Sequence, residues 1–133
     1  MASRIGEIVI DSLDPETTAR FWCAALGYRI TDQDETGVCI AGDSRAPTIL
    51  VLRRTDPKTA KSSIHFDLCP TDRDQVAEVR RLVELGATPV DIGQGQQRWV
   101  VLADPDGNEF CVMPKIIAPE PQPFHHLDQI ATG

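Results

Sequence analysis

Two hydrophobic periodicities alternate along the chain, and they do so twice. Ile5–Ile10 is a short apolar, β-rich run and predicts a strand. Asp14 and Pro15 supply an N-cap acceptor and a first-turn proline, so a helix starts there. Glu16 suits the positive end of that helix. Ala19, Trp22, Cys23 and Leu26 recur at helical spacing, which makes their face core. Gly27 stops the helix, because it adopts positive φ at little cost. Strands are predicted at Tyr28–Thr31, Val38–Ala41 and Thr48–Arg53, with turns at Asp34-Glu35-Thr36-Gly37 and Gly42-Asp43-Ser44.

The second half repeats the order. Ile64–Leu68 predicts a strand. Thr71-Asp72-Arg73-Asp74 resembles a capping box with Asp in place of Glu. Val76, Val79, Leu82 and Val83 give the apolar stripe of a second helix, which ends at Gly86. Strands follow at Thr88–Ile92, Arg98–Leu102 and Glu109–Met113, and Asp104-Pro105-Asp106-Gly107-Asn108 is the last hairpin turn. Glu7 to His65 is a step of 58 and Leu26 to Leu85 a step of 59. A duplicated unit that cannot close its own core packs against its copy. The expected fold is therefore α+β: two tandem βαβββ modules, 4–54 and 62–114, packed against each other. Arg54–Lys61 links them, and the proline-rich residues 115–133 form an extended tail. Equivalent positions converge in such a pair, so Glu7/His65 and Leu52/Cys111 are the first places to expect chemistry.

Composition narrows the function classes. At 133 residues the chain is one domain with a sizeable core. A net charge of -7 argues against a nucleic-acid or anionic-membrane partner, since such binding begins with a positive footprint. No run reaches the length of a membrane span, and the first residues lack the apolar stretch of a secretory signal. Four scattered cysteines without a CxxC suit buried free thiols in a reducing cytoplasm, the expected location. GxSxG, Walker A and GxGxxG patterns are absent. With three histidines, two of them the tail pair His125-His126, little room is left for a Ser/Cys-His nucleophile system.

The paired βαβββ units, the two Leu-Gly helix stops and the Asp104–Phe110 stretch DPDGNEF resemble the vicinal oxygen chelate superfamily. This group includes glyoxalase I, bleomycin-resistance proteins and extradiol dioxygenases, and the second half is most similar to its glyoxalase-like branch. The resemblance covers about residues 4–114. It implies curved mixed sheets enclosing a cleft, a homodimer, a small-molecule ligand, and a divalent metal ion held by residues of each module's first and last strands. The matching positions are Glu7 and Leu52, then His65 and Cys111. Glu7 and His65 are chemically suitable metal ligands, whereas Leu52 cannot ligate. Cys111 suits a softer ion and stands where glyoxalase I has a glutamate. Glu109 lies two residues earlier, on the same side but about 7 Å away.

Each residue also has a plainer role. Glu7 shares a strand face with Ile5 and Val9 and points either into the cleft or to solvent. His65 shares a face with Ser63 and Asp67, so a carboxylate hydrogen bond could occupy it instead of a metal. Cys111, between Phe110 and Val112, reads as a buried thiol. The resemblance leaves two functions open. In the first, the protein binds a small molecule oriented by Glu7, His65, Trp99 and Cys111, with an incomplete metal site. In the second, a metal-dependent lyase, isomerase or dioxygenase acts on a vicinal-oxygen substrate. The metal ligands would be Glu7 and His65.

Overall fold

A computed structural model describes residues 2, 4–43, 45–56, 64–90 and 98–118. The order is β1 (Glu7–Ser12), α1 (Pro15–Leu26), β2 (Arg29–Asp34), β3 (Gly37–Ala41) and β4 (Thr48–Arg53). The second unit has β5 (Phe66–Leu68), α2 (Gln75–Leu85), β6 (Thr88–Pro89), β7 (Val100–Ala103) and β8 (Glu109–Val112). Each unit is βαβββ. The four-stranded sheets run β1-β4-β3-β2 and β5-β8-β7-β6, so the first strand of each unit lies at an edge, parallel to the last. This is the mixed α+β architecture that the sequence predicts.

The local signals explain most boundaries. Asp14 caps α1 by accepting from the Thr17 amide at 3.3 Å, and hydrogen bonds from Thr17 hold its carboxyl below the usual range. Gly27 closes α1 at φ 72, where its N–H reaches the Cys23 carbonyl. The second cap sits three residues later than a box starting at Thr71: Asp74 accepts from the Ala77 amide at 2.8 Å. The α2 stripe is also narrower than its spacing suggests. Leu82 is buried, but Val76 and Val83 are exposed, and Glu78 takes a buried position bonded to Arg81. Arg81 reaches on to the Ala24 and Ala25 carbonyls, satisfying orphan acceptors at the end of α1. Part of the Arg54–Lys61 linker, the end of the expected Thr88–Ile92 strand and the His125-His126 pair lie outside the described residues.

The core runs across both modules. Trp22 of α1 is 1% exposed and sits edge-on to Phe66 and Phe110, with ring centroids 5.4 and 5.0 Å away. Its indole N–H donates to Asp104 Oδ2 at 2.8 Å. The 104–108 turn is thus more than a reversal. Asp104 is buried and also accepts from the Asp106 and Asn108 amides. Asp106 accepts from the Leu13 amide and the Arg54 guanidinium, so a second-module loop holds the residues that follow β1 and β4.

Gly37 shows how tightly β3 and β4 approach. A Cβ there would overlap the Val51 carbonyl oxygen and crowd Leu52 Cα. Neither atom can yield without moving the ladder, so Gly37→Ala should lower stability by about 1–3 kcal/mol in urea unfolding. An unchanged midpoint would refute this close-approach account.

Candidate functional site

Strand alternation sets the faces that carry chemistry. Ile8 and Ile10 of β1 pack against the core, which turns Glu7, Val9 and Asp11 the other way. Phe66 and Leu68 do the same in β5, leaving His65 and Asp67 on the opposite side. A cavity of about 720 Å³ opens between β1 and the entry to β5. Ile8, Ile10, Trp22 and Phe66 give it an apolar floor; Glu7, Asp11, Arg54, His65 and Glu109 give it a polar rim. The structure therefore brings Glu7 and His65, one from each module, to a single cavity.

The strand register revises one expected equivalence. Glu7 is paired with Thr48 in the first sheet. In the second, Phe66 pairs with Phe110, so one step back sets His65 beside Glu109. If His65 matches Glu7, then Cys111 matches Leu50, and Leu52 falls two residues beyond. Leu52 is half-buried opposite Asp11 and does not line the cavity. Trp99 is 38% exposed, precedes β7 and also lies off the cavity wall.

The tightest group of donors lies within the second module. Asp67 and Cys111 are partners in the β5–β8 ladder, and His65 shares Asp67's face two residues earlier. His65 Nε2 is 3.1 Å from Asp67 Oδ1, the carboxylate contact that is the plainer reading of this histidine. One ligand atom from each of His65, Asp67 and Cys111 lies within 4.8 Å of the others. Ligands of one tetrahedral zinc-sized ion lie ~3.3–3.8 Å apart, so the three side chains would have to draw together to share one. The histidine and carboxylate are half-exposed, while Cys111 is only 9% exposed. Glu7 is not in this cluster. The sequence signal for Asp67 was its i, i+2 relation to His65, but its pairing with Cys111 depends on register.

Two further observations bear on the site. Glu109 Oε2 and Arg54 Nε are buried without hydrogen-bond partners, although another Arg54 nitrogen holds Asp106 at 2.6 Å. The nitrogen, carboxylate and sulfur donors suit a divalent ion of borderline softness. The remaining cysteines differ in character. Cys23 and Cys39 are half-buried, and burial pushes both thiols up, keeping them protonated. A second cavity, of about 480 Å³, lies between the C-terminal end of α1 and the start of α2. Its Arg73 and Arg81 are already engaged by Asp72 and Glu78. Among the described residues no helix is long and apolar enough to cross a membrane.

Comparison with known proteins agrees with this architecture. The fosfomycin resistance protein FosX from Mesorhizobium loti superposes with a TM-score of 0.64 at 15% identity, over 96% of this chain and 99% of that one. FosX from Listeria monocytogenes, solved as a mutant with Mn(II) and 1S,2S-dihydroxypropylphosphonic acid, also gives 0.64 at 15% identity, over 88% and 94%. A glyoxalase/bleomycin resistance protein from Albidiferax ferrireducens gives 0.56 at 17% identity, over 83% and 97%. A search of curated proteins found no match. The family described as a glyoxalase-like domain matches residues 7–113. Fold, strand order and this match together place the chain in the glyoxalase-like domain family of the vicinal oxygen chelate superfamily.

Proposed function

We propose that the protein binds a small organic molecule with an apolar body and a cationic group in the 720 Å³ cavity. The observation that carries this reading is the acidic rim over an apolar floor. Glu7, Asp11 and Glu109 supply carboxylates, while Arg54, the one arginine on the rim among the described residues, is engaged by Asp106. An apolar pocket with a few placed polar groups is the usual form of a small-molecule site. The whole-chain charge of -7 favours the same ligand sign. In this reading Glu7 and His65 face the ligand, while Cys111, expected beside them, does not line the cavity. A homodimer and cytoplasmic residence belong to the same proposal. Exposed apolar side chains such as Val76 and Ile64 support self-association.

The second reading is metal-dependent chemistry on two adjacent substrate oxygens. It is supported by the His65, Asp67 and Cys111 donors, and FosX from Listeria monocytogenes, which has a similar fold, was solved with Mn(II). A bound divalent ion would supply Lewis-acid polarisation. His65, Asp67 and Cys111 would hold it, and Glu109 would accept a proton at its unpartnered oxygen.

The test uses matched aromatic compounds carrying an ammonium, a neutral or a carboxylate group, with affinities measured by calorimetry. The ammonium compound should bind most tightly. Glu7→Gln should weaken it by about 5–10-fold, and added salt should reduce that difference. Preference for the carboxylate compound would overturn the cationic-ligand reading. If that preference also required added divalent metal, the second reading would replace it.

A further inference from the structure

We propose that β1 accepts an added strand: a short free peptide, alternating apolar residues with lysine or arginine, pairs with its open edge inside the 720 Å³ cavity. This rests on the cationic-ligand reading above and narrows it to one class of ligand. β1 lies at an edge of its sheet and is bonded to β4 alone. Bonds beyond the ladder show which way its backbone groups point. Gly6 and Ser12 turn their carbonyls toward β4, where Thr48 Oγ1 and the Arg54 amide donate to them at 3.1 and 2.9 Å. Backbone groups alternate from edge to edge along a strand, so Glu7, Val9 and Asp11 turn theirs away from β4. Leu13, next in that series, has the same sense: its amide donates to Asp106 of the second module at 2.8 Å. Residues 7–11 line the cavity without a break, from both strand faces, which makes the edge itself a wall. Among the described residues, no backbone group pairs with that edge from Glu7 to Asp11.

An unpaired strand edge is a ready template for another chain. Main-chain bonds then supply affinity, and alternate side chains supply specificity. The two faces of β1 set that specificity. On one, Ile8 and Ile10 join Trp22 and Phe66 in the apolar floor. On the other stand the carboxylates of Glu7 and Asp11, either side of Val9. A strand laid beside β1 continues both faces, so its apolar residues enter the floor and its cationic groups meet the two carboxylates. The open stretch takes about five residues, ~17 Å at the rise of a strand. Asp106, bonded to the Leu13 amide, closes its far end. The added chain stops there, which suits a free peptide rather than the middle of a long chain.

The probe is the capped peptide acetyl-Val-Lys-Val-Lys-Val-amide, titrated into the full-length chain by calorimetry. It should bind on the order of 10-fold more tightly than the same peptide with glutamate for lysine, and than Val-Val-Val-Lys-Lys, which loses the alternation. N-methylation reads the ladder. Methylating one alternate set of peptide amides should weaken binding by at least ~10-fold and the other set by less than ~3-fold, because one edge of the peptide faces β1. Val9→Pro removes the central N–H of the open edge, at a position where a strand accepts proline without losing a ladder bond. It should weaken the peptide at least ~10-fold more than Val9→Ala, which keeps the N–H.

Equal losses from the two methylated sets, or a Val9→Pro no weaker than Val9→Ala, would overturn the pairing. Tighter binding of a peptide extended at both ends would overturn the short-peptide assignment, since the closed end leaves it no room. Circular dichroism checks each fold. Should Val9→Pro unfold, the methylated peptides decide on the unaltered chain. If the peptide fails while the aromatic ammonium compound binds, strand addition falls and the cationic-ligand reading stands. If neither binds, both fall.

Discussion

Asp104→Ala should lower the free energy of unfolding by about 3–5 kcal/mol, the order expected when several buried donors lose their acceptor together. The carboxylate is 1% exposed and accepts from four donors. They are Trp22 Nε1 at 2.8 Å, the Asp106 amide at 2.9 Å, the Asn108 amide at 2.8 Å and Asn108 Nδ2 at 3.0 Å. Alanine removes the acceptor and leaves the donors behind. Each donor left unsatisfied in the interior costs about 1–3 kcal/mol, and water entering the turn recovers part of that. The turn also carries Asp106, which holds Leu13 and Arg54, so its collapse would loosen the first module as well. Urea denaturation, read as a shift in midpoint at constant slope, is the measurement. A loss below about 1 kcal/mol would mean that the turn holds its shape without the carboxylate.

Trp22→Ala should cost a similar amount, about 3–5 kcal/mol, through the void it leaves. Its ring is enclosed by Phe21, Phe66 and Phe110, two of them from the other module. The cavity's apolar floor would lose one wall, so ligand affinity should fall together with stability. Trp22→Phe separates the two contributions, keeping an aromatic ring while removing the indole N–H. Combined with Asp104→Asn in a double-mutant cycle, it should show a coupling of about 0.5–3 kcal/mol. Strict additivity would mean that the 2.8 Å contact contributes nothing of its own.

Local chemistry made the architecture readable. Apolar runs near Ile8 and Phe66, the Asp14-Pro15 start and the glycine stops each act through neighbours a few residues away. Properties that depend on distant partners were harder. The duplication offset suggests that Leu52 and Cys111 are equivalent, but β1–β4 and β5–β8 pair in different registers. The same register brings Asp67 beside Cys111, which no spacing within one strand announces. In α2, the apolar spacing of Val76 and Val83 looks like core. The buried side is instead shared with Glu78, which is affordable only because Arg81 pairs with it and reaches across to α1. Trp99 read as a wall of the site because its strand was expected to begin at Arg98. β7 begins at Val100, after it. Asp104 looked like turn geometry alone, since its partner Trp22 lies 82 residues away.

His65, Asp67 and Cys111, whose donor atoms cluster, all come from the second copy of the duplication, whereas the first copy gives the cavity Glu7, Val9 and Asp11. That asymmetry bears on how such a protein changes over generations. The first copy is free to vary its exposed strand face, reshaping what fits, while the donor set stays intact. A change at position 111 leaves the opposite wall as it was. The two sides of the site are thereby heritable separately, each open to selection one substitution at a time.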